Sequence, residues 1–323
     1  MSLKVGIVGL PNVGKSTLFN ALLGKQQALA ANYPFATIEP NVGIVPVTDG
    51  RLNELAKVVH TNKIVPAMVE FVDIAGLVKG AATGEGLGNK FLSHIREVEL
   101  IVHVLRQFED GQILREGAVE PVSDYQTVVA ELILKDLESL QKQETTVRKQ
   151  TPLMMEVFNR LFKHLNESKK AKDLVMSEKE AEWVKSLFLL TMKEEIGVIN
   201  IGEEQMKQTT EIEAEFRESL KLPVIALNAE LESQLSNLGK EAALQLLGEY
   251  GIRESGLDRL IKVAYDKLGL MSFLTAGEIE ARAWTIERGI KAPAAAGVIH
   301  TDFEKKFIKA KVCDYGDFIE LGD

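Results

Sequence analysis

The run Gly9-Leu10-Pro11-Asn12-Val13-Gly14-Lys15-Ser16 matches G-x-x-x-x-G-K-[ST] without deviation. Residues of these types at this spacing do one kind of chemistry: they hold the phosphates of a nucleotide. The glycines let backbone N–H groups turn inward around phosphate oxygens, and the N-terminus of a following helix adds its positive end. Lys15 offers a point charge to the β- and γ-phosphates and Ser16 a hydroxyl to Mg²⁺, while Asn12, Val13, Gly14 and Thr17 belong to the same cradle. Two further stations follow in chain order. Thr37, in Pro34-Phe35-Ala36-Thr37-Ile38-Glu39-Pro40, stands where a switch threonine would complete the Mg²⁺ shell. Asp73, after Val69-Glu70-Phe71-Val72, could hold Mg²⁺ through water, and Gly76 could offer its N–H to the γ-phosphate. D-x-x-G is a weak signal alone, as is a loop threonine; their order after the phosphate loop is what gives them weight.

Alternating strands and helices must position these groups. Val5-Gly6-Ile7-Val8-Gly9 reads as a buried strand leading into the loop, and Leu18, Phe19, Ala21 and Leu22 mark the apolar face of the helix after it. Further strands are expected at Val42–Val47, Ala67–Val72, Leu100–Leu105, Gly197–Ile199 and Val224–Leu227, with a helix over Arg51–Val59 behind the capping Asp49. This is the pattern of an α/β domain with a largely parallel sheet and helices on both faces. From Gln126 to Thr191 the period is helical throughout, which reads as an inserted helical arm turning near Gln150-Thr151-Pro152. A small α+β unit begins near residue 270, with strands Phe273–Thr275 and Ala281–Thr285, a helix over Thr301–Ala310 and a last strand near Tyr315–Leu321. The expected organisation is therefore a nucleotide domain over 1–125 and 192–269, the arm over 126–191 and a C-terminal unit over 270–323.

Composition bounds the rest. At 323 residues and 46% hydrophobic the chain can bury a sizeable core, so a mainly disordered protein is excluded. The net charge of −9 gives no support for a protein that coats nucleic acid. A single cysteine, Cys313, excludes a disulfide framework and a cysteine-rich zinc site, which fits a reducing cytosol, and no apolar run reaches membrane-spanning length. The five histidines show no paired metal spacing, and His103, inside a strand, reads as a satisfied core residue.

With these residues placed, the chain resembles the Obg-related GTPases and, within them, the YchF family of Obg-like ATPases. The carrying segments are Gly6 to Asn20, Phe71 to Gly80, Arg282-Ala283-Trp284-Thr285 and Ile299-His300-Thr301-Asp302-Phe303-Glu304. The resemblance implies a Ras-like P-loop domain, a coiled-coil-like helical insertion and a C-terminal TGS domain of ubiquitin-like β-grasp shape, whose family pattern runs a few dozen residues beyond Asp323 and so looks incomplete here. It also implies a cytoplasmic, ribosome-associated nucleoside triphosphatase, expected to be a monomer.

The base is a separate question. Guanine-specific switches read it with Asn-Lys-x-Asp after a strand; here the strand Ile196–Ile199 is followed by Asn200-Ile201-Gly202-Glu203. Loss of the lysine and replacement of the aspartate weaken guanine discrimination, an unmatched polar contact costing roughly 1–3 kcal/mol. The YchF pattern is this same Asn-x-x-Glu, which implies ATP at least as readily as GTP. Asn228-Ala229-Glu230, after the next strand, stands where the last base-contacting loop belongs.

Hydrolysis is less legible. Leu77 occupies the place where Ras-type enzymes carry the water-orienting glutamine. The family is thought to use a loop histidine instead, and alignment through Phe108-Glu109-Asp110 puts Arg115 there, a residue unable to act as a base at neutral pH but able to neutralise phosphate charge. Asn12 occupies the place of an asparagine that helps bind K⁺ in related cation-dependent GTPases. Five glycines, Gly76, Gly80, Gly84, Gly86 and Gly88, suit the segment after Asp73 to rearrangement. Between Lys142 and Lys172 eight basic residues face three acidic ones, and Lys305, Lys306, Lys309 and Lys311 form a second basic group. Either is a solvated face or a contact for rRNA and ribosomal proteins. An enzyme that cycles as a ribosome-linked switch leads; a nucleotide sensor whose output is partner choice, favoured by Leu77 and Arg115, is the second reading. A small-molecule kinase leaves Asn200–Glu203 without a role.

Overall fold

The computed structural model describes residues 3–30, 41–74, 94–108, 120–147 and 151–322. Six strands form the main sheet: β1 (Lys4–Val8), β2 (Val42–Pro46), β4 (Met68–Asp73), β5 (Leu100–Arg106), β6 (Glu194–Asn200) and β7 (Val224–Leu227). Their order is β2-β4-β1-β5-β6-β7, all parallel except β2, which runs antiparallel to β4. Every residue of β5 is buried, as a central strand covered on both faces must be.

One face carries α1 (Lys15–Ala30), α2 (Gly50–Val58) and α9 (Gly256–Lys267). Leu18 and Leu22 of the first pack there with Val102, Val104, Leu257 and Ile261. The Asp49 side chain accepts from the Arg51 backbone N–H at the start of α2, as its cap position predicts. The other face is covered by α3 (Pro121–Val147), α4 (Pro152–Asn166), α5 (Glu178–Lys185) and α6 (Thr209–Leu220), whose Val129, Ile133, Leu161 and Phe216 join Leu105, Ile199 and Ala226 in a second core. The helix α3 is the first half of the arm, and it begins at Pro121 rather than Gln126 because Tyr125 and Val122 already pack into this core. Thr151 caps α4, accepting from the Met154 N–H. Helices α7 (Ala229–Ser236) and α8 (Lys240–Glu249) follow β7.

A buried ionic cluster fixes the root of the arm. Glu195 on β6 is 4% exposed and accepts from Lys170 Nζ at 2.7 Å and from the Tyr125 hydroxyl at 3.3 Å, with Lys172 Nζ at 2.6 Å and His103 Nε2 at 3.1 Å. Burial pushes the Glu195 carboxyl up, but the His103 hydrogen bond and the ammonium groups of Lys172 and Lys170 outweigh it and hold the group well below the usual carboxylate range. Asp136 of α3 makes a second anchor, accepting from the Leu190 and Thr191 N–H groups and the Thr191 hydroxyl. Removing one member of a buried charge cluster leaves the others uncompensated, so Glu195→Ala should cost about 3–5 kcal/mol in urea unfolding. A loss below about 1 kcal/mol, the range of an exposed pair, would show that the cluster does not hold the arm. His103 is thus a core residue as expected, although its Nδ1 has no hydrogen-bond partner among the described residues. Lys170 and Lys172 are both paired with Glu195, so two of the eight basic residues counted for a polyanion contact are held at home and one of their charges is neutralised there.

The C-terminal unit pairs β8 (Leu270–Ala276) and β9 (Ala281–Glu287) antiparallel, and the short β3 (Ile64–Val65) adds to β9 in parallel. Three helices follow, α10 (Ala292–Ile299), α11 (Thr301–Lys305) and α12 (Tyr315–Leu321). Two expectations are corrected here. The helix sought over Thr301–Ala310 stops at Lys305 and has a separate helix before it. The strand sought at Tyr315–Leu321 is helical, because that conformation puts Tyr315, Phe318 and Ile319 on one side against the main core, with the Tyr315 hydroxyl bonded to Glu54. Among the described residues no helix is long and apolar enough to cross a membrane.

Candidate active site

Strand register brings the functional positions to one edge. Ile7 lies beside Asp73, Val8 beside His103, Arg106 beside Asn200, and Asn200 beside Leu227, so the C-terminal ends of the parallel strands finish together. In open α/β sheets this is the edge where ligands bind. A cleft of about 490 Å³ lies there, lined by Asn12, Gly14, Lys15, Ser16, Thr17, Phe108, Asn200, Ile201, Gly202, Asn228, Ala229 and Glu230. That is the volume range of small-molecule and cofactor sites.

The phosphate loop is held tightly from below. A Cβ at Gly9 would lie 2.5 Å from the Val104 carbonyl oxygen, so only glycine lets the chain leave β1 this close to β5. Gly14 has φ of +99°, and a Cβ there would lie 2.1 Å from Asn200 Nδ2. Val13 is buried at 1% exposure and takes part through its backbone, its carbonyl accepting from Asn200 Nδ2 at 3.0 Å. Ser16 and Thr17 sit in the first turn of α1, where the unsatisfied N–H groups of the helix point.

Lys15 and Asp73 form the electrostatic centre. Lys15 Nζ donates to the Leu10 carbonyl at 2.7 Å, folding the ammonium over its own loop. Burial pulls its pKa below the ordinary lysine value, while the nearby Asp73 opposes that shift. Asp73 is the mirror case, raised by burial and pulled back by Lys15. Asp73 is not among the residues that line the cleft, and Lys15 is the charged neighbour that links it to the loop. Ser16 and Asp73 are hard oxygen donors and few in number, which suits Mg²⁺, an ion that keeps water and substrate phosphates in its shell.

The far end of the cleft is organised by two asparagines. Asn200 is 5% exposed; its Nδ2 ties down Val13 and its Oδ1 accepts from the Ala229 N–H at 3.0 Å, joining three loops. Asn228 caps α7, its Oδ1 accepting from the Leu231 N–H, and its Nδ2 donates to the Ile201 carbonyl at 2.8 Å. Glu203 is not brought into the lining. It is exposed at the start of a 3₁₀ turn, and its carboxylate accepts from the Tyr250 hydroxyl at 2.5 Å. Ile201, at 0% exposure, belongs to the core as much as to the cleft. Two residues went unassigned in the sequence. Phe108 lines the cleft, and the buried Arg106 lies 4.5 Å from its ring centroid and donates to its carbonyl. A basic residue closing an otherwise apolar strand was the available signal. Thr37, Gly76, Leu77, Arg115 and the glycine-rich run lie outside the described residues.

A largely parallel sheet with this strand order, a Gly-x-x-x-x-Gly-Lys-Ser loop between β1 and α1 and an asparagine from β6 locked onto that loop define a P-loop nucleoside triphosphatase of the GTPase type. Residues 4–160 match the 50S ribosome-binding GTPase family model, and residues 270–323 match the YchF GTPase C-terminal family, described as of unknown function. The chain is 46% identical to the ribosome-binding ATPase YchF of Bacillus subtilis, covering 100% of this chain and 91% of that one. Against the protein of the same name from Haemophilus influenzae it is 43% identical, covering 99% and 91%. The solved Schizosaccharomyces pombe YchF GTPase superposes with a TM-score of 0.87 at 38% identity, over 99% of this chain and 89% of that one. A GTP-binding protein from Pyrococcus horikoshii, 18% identical at a TM-score of 0.57, shares the fold. The chain belongs to the YchF family, and it is a P-loop NTP hydrolase.

Proposed function

We propose that the chain is a Mg²⁺-dependent triphosphatase that hydrolyses ATP, takes GTP comparably or less well, and cycles as a ribosome-associated switch in the cytoplasm. The observation that carries the base preference is the far end of the cleft: Ile201 stands where guanine-specific sites have lysine, and Glu203 is turned to Tyr250 instead of lining the cleft. Phosphates resting on the loop would displace the Leu10 carbonyl from Lys15, whose charge would meet the β- and γ-oxygens. Ser16, with Thr37 and with Asp73 through water, would hold Mg²⁺, which neutralises charge developing on the phosphate oxygens. Gly76 would meet the γ-phosphate and Arg115 would reach it in cis. Asn12, which lines the cleft with φ of +62°, is the residue we assign to K⁺.

The C-terminal unit belongs, in this reading, to a TGS domain. Ribosome association rests on the names of the relatives and on the basic residues of the arm that Glu195 does not claim. Two measurements test the proposal. Calorimetric titration should show ATP binding at least as tightly as GTP; GTP binding tenfold tighter would sink the base assignment. Ser16→Ala should weaken Mg²⁺-dependent affinity by about tenfold or more while affinity in EDTA barely changes, as expected for the loss of one hard-oxygen ligand. Equal losses with and without metal would remove Ser16 from the Mg²⁺ site.

A further inference from the structure

Purine bases differ in polarity at position 6, where adenine carries an amino donor and guanine an oxygen acceptor. A site that selects between them needs a group of opposite character there. At the end of the cleft away from Lys15, three backbone donors are already committed within the protein. The Ile201 N–H goes to the Leu227 carbonyl at 3.0 Å, the Gly202 N–H to Gln205 Oε1 at 3.0 Å and the Ala229 N–H to Asn200 Oδ1 at 3.0 Å. Asn228 Nδ2 is taken by the Ile201 carbonyl. A guanine 6-oxygen arriving here finds these donors occupied.

What this end does present is an acceptor. Glu230, exposed in the first turn of α7, is the one acid among the described residues that line the cleft, and no described residue holds its carboxylate by a hydrogen bond or ion pair. Of the acids next to it, Glu203 is bonded to Tyr250 and Glu204 lies against Gly202, and neither is in the lining. We infer that Glu230 sets base specificity: its carboxylate accepts from the 6-amino group of adenine and repels the 6-oxygen of guanine. The inference rests on the reading that this cleft holds a nucleoside triphosphate, and it names the residue that chooses among such ligands.

An acid in the first turn of a helix also complements the helix dipole. That role alone would alter all nucleotides alike, which gives the test its form. ATP, GTP and purine riboside triphosphate, which lacks the 6-amino group, are titrated calorimetrically into the full chain as wild type, Glu230→Ala and Glu230→Lys. Wild type should bind ATP about three- to tenfold tighter than the purine riboside nucleotide, the value of one hydrogen bond at an exposed carboxylate. Glu230→Ala should bring that ratio close to one, and Glu230→Lys should bind GTP more tightly than ATP, its ammonium donating to the 6-oxygen. An ATP preference that survives Glu230→Ala with unchanged ratios overturns the inference and leaves the ATP assignment standing. A wild type that itself favours GTP overturns both.

Discussion

Lys15→Ala is expected to lower steady-state phosphate release by about 10²–10³-fold, the scale on which removing one preorganised charge-stabilising donor acts, equivalent to roughly 3–4 kcal/mol. Lys15 is the one cationic side chain among the described residues lining the cleft. Its ammonium is buried enough to sit below the ordinary lysine value, with Asp73 nearby and, among the described residues, only the Leu10 carbonyl to accept from it. An incoming triphosphate would supply the negative charge this ammonium lacks, so the interaction strengthens as charge builds on the transferred group. The accompanying loss of binding affinity should be larger for ATP than for ADP, and larger for ADP than for AMP, because Lys15 acts on the β- and γ-phosphates. Wild-type-like turnover in a variant shown by circular dichroism to be folded would remove Lys15 from the site.

Gly14→Ala should be nearly as damaging for a different reason. At φ of +99° an alanine is strained, and its Cβ would lie 2.1 Å from Asn200 Nδ2. Either the loop or Asn200 must move, and Asn200 is what joins Val13 to Ala229. Backbone strain of order 1–3 kcal/mol adds to about 0.5–1.5 kcal/mol for each of the two hydrogen bonds lost. Nucleotide affinity should fall by at least about 100-fold, near 2.7 kcal/mol on the affinity scale. Asn200→Ala removes the amide that alanine would strike, so the double variant should cost measurably less than the sum of the two single ones. Strict additivity would mean that the two residues are not in contact and that the loop is held by something else.

What the sequence determined by itself was whatever depends on local spacing. Eight consecutive residues from Gly9 to Ser16 specify a phosphate loop because strand, turn and helix N-terminus are neighbours along the chain. The same holds for the capping Asp49 and for the 3.6-residue period of the arm, whose second helix begins at Pro152 behind Thr151. Asn200 and Asn228 were legible as the ends of apolar strands. Only the tertiary structure decided what those side chains touch. Glu203 is claimed by a tyrosine 47 positions further on, which takes it out of the cleft and leaves Glu230 as its acid. Lys170 and Lys172, counted as free positive charge, are drawn in by Glu195, because a buried carboxylate outbids solvent for its counter-ions. Tyr315–Leu321 is too short for its apolar spacing to separate a strand from a helix, and the main core settles it by accepting Tyr315, Phe318 and Ile319 together. Backbone form follows from neighbours in the chain, whereas the partner of a polar side chain depends on which distant residue the fold brings within 3 Å of it, and no period in the sequence encodes that distance.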